Sequence, residues 1–219
     1  MKSYYLFFIL LILVSCSAPF PNGDIKDLIQ NKNAHFLTDN ASEYSVYGGY
    51  ASDCAHPGAH VFFSEGATHN IYAVSDGIIS AIDECATAGQ NDKYNIQLTI
   101  GMSGAVPIYF EYSIEPFAGS LCSNGNDEYF SGQILVENGQ EVKKGDVIAK
   151  ITAGDDSDGS AHIHFNLKVD GATVCPDIFA ATEFSSGNAG TQRTNSSCTI
   201  PDNDWCFELT SSEKPTNLL

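Results

Sequence analysis

The chain has 219 residues, seven cysteines and a formal net charge of −17 at pH 7. Such an acidic chain repels nucleic acid and anionic lipid head groups, which argues against either as a direct partner. The length allows one domain with a hydrophobic core plus additional segments. The acidic residues are spread along the chain, so we interpret the charge as a solubility feature.

The first residues have the features of an export signal. Lys2 precedes an apolar run, Tyr4 to Val14, that is too short to span a bilayer. The run ends in Ser15-Cys16 and resembles a bacterial lipobox, which predicts a lipoprotein signal peptide over 1–15 and a lipidated Cys16. An ordinary secretory signal with a chance cysteine is the alternative. The non-acidic Ser17 favours an anchor in the outer membrane or at the cell surface of the bacterial envelope.

Six cysteines remain once Cys16 is set aside. An even number in an exported chain predicts disulfide bonds, although the sequence does not choose the pairing. A cysteine metal site is the competing interpretation, which the lack of any Cys-x-x-Cys spacing disfavours. The predicted disulfide residues are Cys54, Cys85, Cys122, Cys175, Cys198 and Cys206.

The middle of the chain is predicted to be all-β. Residues 94–100 and 106–115 alternate apolar and polar side chains, and Asp76-Gly77 between two β-branched runs predicts a hairpin. We find no long amphipathic helix there. The prediction is an antiparallel β-sheet core folded into a groove-bearing sandwich, with loop-rich, disulfide-stapled extensions. The predicted segments are an N-terminal tether and entry segment (16–45), the core domain (46–175) and a partly disordered C-terminal extension (176–219).

Two histidines share one strand of this core. Residues 161–169 alternate without a break, so His162 and His164 leave the same face, roughly 7 Å apart along the strand. Two imidazoles in this arrangement can hold a metal ion, or one can hold it while the other transfers protons. Two polar residues on a solvated face are the simpler interpretation.

A second pair of histidines lies earlier in the chain. His56 and His60 flank Pro57-Gly58, a dipeptide that forbids a helix and predicts a rigid turn leading into a strand. Imidazoles at both ends of a rigid turn can chelate a metal ion. The alternative is two unrelated loop histidines.

The order of these motifs, over about residues 54–170, resembles the lysostaphin/LytM-type zinc metallopeptidases (the M23 peptidases). That family cuts peptide cross-links of bacterial peptidoglycan with a His-x-x-x-Asp and a His-x-His motif. The resemblance implies a Zn²⁺ site formed by His56, His60 and His164, with His162 as general base or oxyanion donor. His60 stands where the family has aspartate, so three neutral imidazoles would leave one more unit of positive charge on the site.

A second departure concerns the family's Tyr-x-His motif, which the resemblance matches to Phe110-Glu111-Tyr112. Tyr112 would then stand where a histidine stabilises the oxyanion, and a phenol can donate the same hydrogen bond. The alternative is that Tyr112 simply packs in the core, because it is in phase with Ile114 and other apolar residues.

The resemblance therefore implies a zinc metalloendopeptidase that is anchored to the membrane only through lipid and acts on peptidoglycan peptides. The alternative is a catalytically degenerate module of the same fold that binds cell wall or regulates a partner murein hydrolase.

Overall fold

The computed structural model describes residues 25–45, 59–64, 66–88, 91–116, 133–152, 161–174, 176–185, 188 and 190–192. Strands dominate these residues, and the two described helices are short: α1 (Ile25–Asn31) and α2 (Ala181–Ser185). Neither of these helices has the length and apolar character needed to cross a lipid bilayer. The predominance of strands confirms the all-β prediction for the described part of the chain.

The strands of the main sheet are β1 (Glu43–Ser45), β2 (Ala59–Phe62), β4 (Gly77–Ala88), β5 (Asn91–Ser103), β6 (Val106–Glu115), β7 (Glu141–Val142), β9 (His162–Val169), β10 (Ala172–Val174) and β11 (Thr191–Gln192). The main sheet runs in the order β11-β1-β2-β9-β6-β5-β4-β7, and β10 adds to β9. Its pairings are antiparallel except for β1 with β11. Its central strands are long because apolar and polar residues alternate along them, so that one face can pack into the core while the other bears polar side chains.

One face of this sheet forms the hydrophobic core. Phe165 on β9 packs against Phe110 and Tyr112 of β6, with ring centroids 5.5 and 5.1 Å away. Burying each such ring stabilises the fold by roughly 1.5–3 kcal/mol. The core rows continue through buried residues of β5, including Ile96 and Leu98. The opposite face of the same strands is consequently left for polar side chains.

A second sheet lies over the core. It consists of β3 (Thr68–Tyr72) and β8 (Val147–Thr152), which pair antiparallel. The Tyr94 hydroxyl on β5 donates to the Lys150 carbonyl on β8, which ties the two sheets together. These contacts give the described residues the two-layer arrangement of a sandwich.

The predicted hairpin around Asp76-Gly77 is wrong. β3 pairs with β8, whereas β4 pairs with β5 and β7. The Asp76 carboxylate instead accepts from the backbone N–H of Lys144 at 2.9 Å and the Lys143 ammonium at 3.0 Å. The chain thus crosses from one sheet to the other at this turn. A distant loop supplies the hydrogen-bond donors for the Asp76 carboxylate.

Both segments that flank the predicted core domain contribute to the folded body. Phe36 and Leu37 of the entry segment are buried, and β1 pairs with β2. Beyond residue 175, Phe179 is buried and β11 pairs with β1. The predicted boundaries at 45/46 and 175/176 do not coincide with the edge of this body.

Candidate metal centre

The register of β2 and β9 brings two of the predicted ligands together. His60 lies directly opposite His164, and Phe62 lies opposite His162. Directly paired residues of an antiparallel ladder point to the same face, so the three histidines share the face opposite the core. His60 and His162 are buried, and His164 keeps 20% of its side chain exposed.

The imidazoles converge on one point. The Nε2 atoms of His60 and His164 are 3.2 Å apart, and their ring centroids are 3.9 Å apart. The His162 ring lies 4.8 Å from the His164 ring and 5.6 Å from the His60 ring. One ligand nitrogen from each of the three lies within 4.8 Å of the others. Two strands thus place three nitrogen donors in one cluster.

Glu115 completes the cluster and was not foreseen from the sequence. It lies directly opposite His162 in the register of β6 and β9. One carboxylate oxygen lies 3.6 Å from His162 Nε2, and the other lies 3.5 Å from His164 Nε2. The Glu115 residue is only 6% exposed. A signal was present, because Glu111, Ser113 and Glu115 form the polar half of an alternating strand.

A row of polar residues extends from the histidines across the sheet. Ser113 pairs with His164, Asn95 pairs with Ser113, and Asp83 pairs with Asn95. The row thus runs from β2 to β4 and leads from the buried cluster to the exposed Asp83. A neighbouring pair, Asn166 and Glu111, flanks it on β9 and β6. This face carries hydrogen-bonding groups beside the cluster, on β9, β6, β5 and β4.

Tyr112 does not join the histidines, which corrects the catalytic role predicted for it. It is fully buried and pairs with Phe165, so its ring lies on the core face. Its hydroxyl oxygen accepts a hydrogen bond from the backbone N–H of Val74 at 3.0 Å. Burial raises the pKa of the Tyr112 phenol far above its ordinary value. Tyr112 therefore lies on the core face together with Ile114, two residues further along the same strand.

Several other predicted site residues lie outside the described part of the chain. These are His56, Cys16 and the cysteines at 54, 122, 175, 198 and 206, together with the side chain of Cys85. The structure thus brings together His60, His162 and His164, whereas His56 as a ligand stays a prediction. The same holds for the lipid anchor and the disulfides.

The donor set fits a zinc ion. Imidazole nitrogens and carboxylate oxygens are ordinary zinc ligands, at about 2.0–2.2 Å. Such bonds in a tetrahedron place neighbouring donor atoms about 3.3–3.5 Å apart. The His60–His164 separation of 3.2 Å is close to this value.

No protein-family model matches the chain. No curated protein matches it either.

Solved structures of peptidases are similar to it. One is a mutant of the catalytic domain of EnpA, a prophage-encoded M23 protein from Enterococcus faecalis: 17% identity, 67% of this chain and 96% of that chain covered, TM-score 0.41. A solution structure of lysostaphin has 16% identity, covering 71% of this chain and 52% of that chain, with a TM-score of 0.33. The antimicrobial peptidase lysostaphin from Staphylococcus simulans has 15% identity, covering 80% of this chain and 59% of that chain, with a TM-score of 0.36. At these identities and TM-scores, any function has to be argued from this chain's own residues.

Proposed function

We propose that this chain is a zinc metalloendopeptidase-like lipoprotein that hydrolyses peptide cross-links of bacterial peptidoglycan. The observation that carries the proposal is the convergence of three imidazoles and one carboxylate on the polar face of the sheet. The His60 and His164 nitrogens stand 3.2 Å apart there. Together with the predicted His56, these two residues would hold the ion.

The ion, when bound, would polarise the carbonyl of the scissile peptide bond and lower the pKa of a water molecule. His162 would supply the proton-transfer group of the site, because its ring lies 4.8 Å from that of His164 on the same strand. Its imidazole can accept a proton from the attacking water or donate one to the leaving amine. The rigid strand β9 fixes its distance from His164.

The polar row on β6, β5 and β4 supplies a surface for an extended substrate. Ser113 is buried beside the histidines, whereas the half-buried Asn95 and the exposed Asp83 offer an amide and a carboxylate that would pair with the N–H groups of a peptide. Glu111 and Asn166 extend the same face on the neighbouring rows. A lipid anchor at Cys16 would hold the enzyme in the envelope, where its cross-linked substrate lies.

Hydrolysis of purified peptidoglycan tests this function. We expect the wild-type protein to release free amino groups in a reaction that chelators stop. His162→Ala should retain zinc while losing at least about a hundredfold in rate, since a positioned general base contributes about 10²–10⁴-fold. His69→Ala is the matched control, because His69 lies on β3 in the other sheet and should leave the rate unchanged.

A second candidate is favoured by the position of Tyr112. With this phenol on the core face, Tyr112 supplies no oxyanion donor to the cluster. The second candidate is a degenerate module that binds the cell wall or regulates a partner murein hydrolase. It predicts a zinc-loaded protein that sediments with peptidoglycan but releases no amino groups from it, which would contradict the first candidate.

A further inference from the structure

We infer that a polar cluster on β6 and β9 is a sugar-binding subsite, which holds the glycan strand of the substrate beside the metal centre. This sugar subsite consists of Tyr109, Glu111, Asn166 and Lys168. The inference rests on the proposed function and deepens it, because it assigns the sugar component of peptidoglycan to a place on the same face of the sheet. Neither the motifs nor the resemblance indicated a role for these residues.

The register of β6 and β9 places the sugar subsite relative to the histidines. Tyr109 lies directly opposite Lys168. Glu111 lies opposite Asn166, one step closer to His164 on the same polar face. Lys168 follows His164 by four residues, which is about 13 Å along an extended strand. About four residues of an extended peptide span this distance, so a sugar held here can carry a peptide whose far end reaches the metal centre.

The Tyr109 side chain is half-buried on the polar face and has the character of a sugar platform. Within the described part of the chain, its hydroxyl has no hydrogen-bond partner and its ring has no aromatic neighbour. Burial and the nearby Glu111 charge raise the pKa of its phenol, which keeps the hydroxyl protonated as a donor. An aromatic ring presents a flat apolar face with partial negative charge. The row of C–H groups on one face of a sugar ring fits such a surface.

Asn166 supplies a buried acceptor that lacks a donor. The residue is 8% exposed, and its side-chain oxygen Oδ1 has no hydrogen-bond partner among the described residues. Its Nδ2 atom faces the Glu111 carboxylate at 3.5 Å. A buried polar atom without a partner is unfavourable, and it calls for a specific explanation. A sugar hydroxyl, reaching Oδ1 directly or through one water molecule, would supply the missing donor.

Glu111 and Lys168 add an acceptor and a donor of opposite charge. The Lys168 ammonium lies 3.6 Å from the Glu111 carboxylate, and the two side chains are 20% and 24% exposed. Lys168 also donates to the Thr173 hydroxyl on β10, which holds its ammonium in place. Because the two charges compensate each other, a neutral ligand can bind them without leaving a charge unpaired. The hydroxyl and acetamido groups of a neutral N-acetylated sugar match this pair better than an ion does.

A peptide strand is the other ligand that this surface could pair with. Its N–H and C=O groups would satisfy Glu111 and Lys168 equally well. The Tyr109 ring distinguishes the two ligands, because backbone pairing makes no use of an aromatic face. An aromatic ring with a few placed polar groups around it is the usual composition of a small-molecule site. The cluster as a whole therefore favours the sugar.

The sugar subsite is tested by titrating the full chain with a soluble oligomer of N-acetylglucosamine, followed by protein NMR. The wild type should bind it, and binding should persist after a chelator has removed zinc. Tyr109→Ala should weaken binding at least about fivefold, because the packing ring is lost. Tyr109→Phe keeps the ring and should bind within about twofold of the wild type.

Val106→Ala is the matched control for Tyr109→Ala. Val106 lies on the same strand and is 40% exposed, but it has the phase of the buried residues Ile108 and Phe110. Its truncation should leave the affinity for the sugar unchanged. Tyr109→Leu is a second variant in case Tyr109→Ala does not fold, because it removes the aromatic ring but leaves less empty space. Melting curves show which variants are folded.

Two results would overturn the sugar subsite. One is a wild type that does not bind the sugar, including a wild type that binds only a sugar-free peptide. The other is wild-type affinity in Tyr109→Ala, or in Tyr109→Leu if only that variant folds. Both results leave the proposed hydrolysis standing. That function fails instead if the wild type releases no amino groups from peptidoglycan, whether or not the sugar binds.

Discussion

The Tyr112 hydroxyl accepts a hydrogen bond from the backbone N–H of Val74, 3.0 Å away, in the interior between the two sheets. Val74 follows β3, so this bond fixes the point where the chain leaves the small sheet for the large one. The buried phenol thus has a structural partner on the side of the sheet away from the histidines. Its contribution should appear in stability and not in metal chemistry.

Tyr112→Phe should accordingly destabilise the protein by about 1–3 kcal/mol, because it leaves the buried Val74 N–H without an acceptor. Chemical denaturation measures this change. Tyr109→Phe is the control, since Tyr109 lies on the same strand with its side chain on the polar face and only partly buried; its effect should stay within about 0.5 kcal/mol. Loss of zinc in Tyr112→Phe with unchanged stability would contradict this role.

The Asp76 turn should make stability depend on pH in the acidic range. The pKa of Asp76 is lower than its ordinary value, mainly because of the hydrogen bond from the Lys144 backbone N–H. The Lys143 side chain also lowers this pKa. A depressed pKa in the folded state gives stability that is present above the unfolded value, about 3.9, and is lost as pH falls through the folded value.

Asp76→Asn should therefore lower the melting temperature at pH 7. Solvent screening limits the loss to at most about 1 kcal/mol. The difference from wild type should shrink progressively below about pH 4. Melting curves of both proteins across this range measure it, and a difference that is the same at pH 3 and pH 7 would rule out the charge as its cause.

The predicted lipid anchor has its own test. Cys16→Ala removes the acceptor of the lipid, so the protein should move from the detergent phase to the aqueous phase in a partitioning assay. The wild type, expressed with its own first residues, should stay in the detergent phase because a multiply acylated cysteine binds firmly. Equal partitioning of the two proteins would show that Cys16 carries no anchor.

The long strands were predictable because their pattern is local. Residues 94–100, 106–115 and 161–169 alternate in sequence, and all but residue 161 lie in β5, β6 and β9. Alternation fixes which residues share a face, but it says nothing about which strands pair. The Asp76-Gly77 dipeptide led to a wrong hairpin for this reason, since β3 takes its partner, β8, from a distant part of the chain.

The same limit explains the incomplete site. The shared face of His162 and His164 follows from the spacing within one strand, whereas the approach of His60 to His164 and of Glu115 to His162 depends on register between strands far apart in sequence. Tyr112 was assigned to the site by matching a motif, although its phase on β6 already placed it with the core. Alternation within a strand was the more reliable guide.

The zinc content of the purified protein tests the central claim most directly. We expect about one zinc ion per chain in the wild type and in His69→Ala, measured by elemental analysis after dialysis. His60→Ala and His164→Ala should each lose it, because each removes one nitrogen of the 3.2 Å pair; His56→Ala should also lose it if the predicted third imidazole binds. A wild type without zinc, or a full zinc complement in His164→Ala, would contradict the metal centre described above.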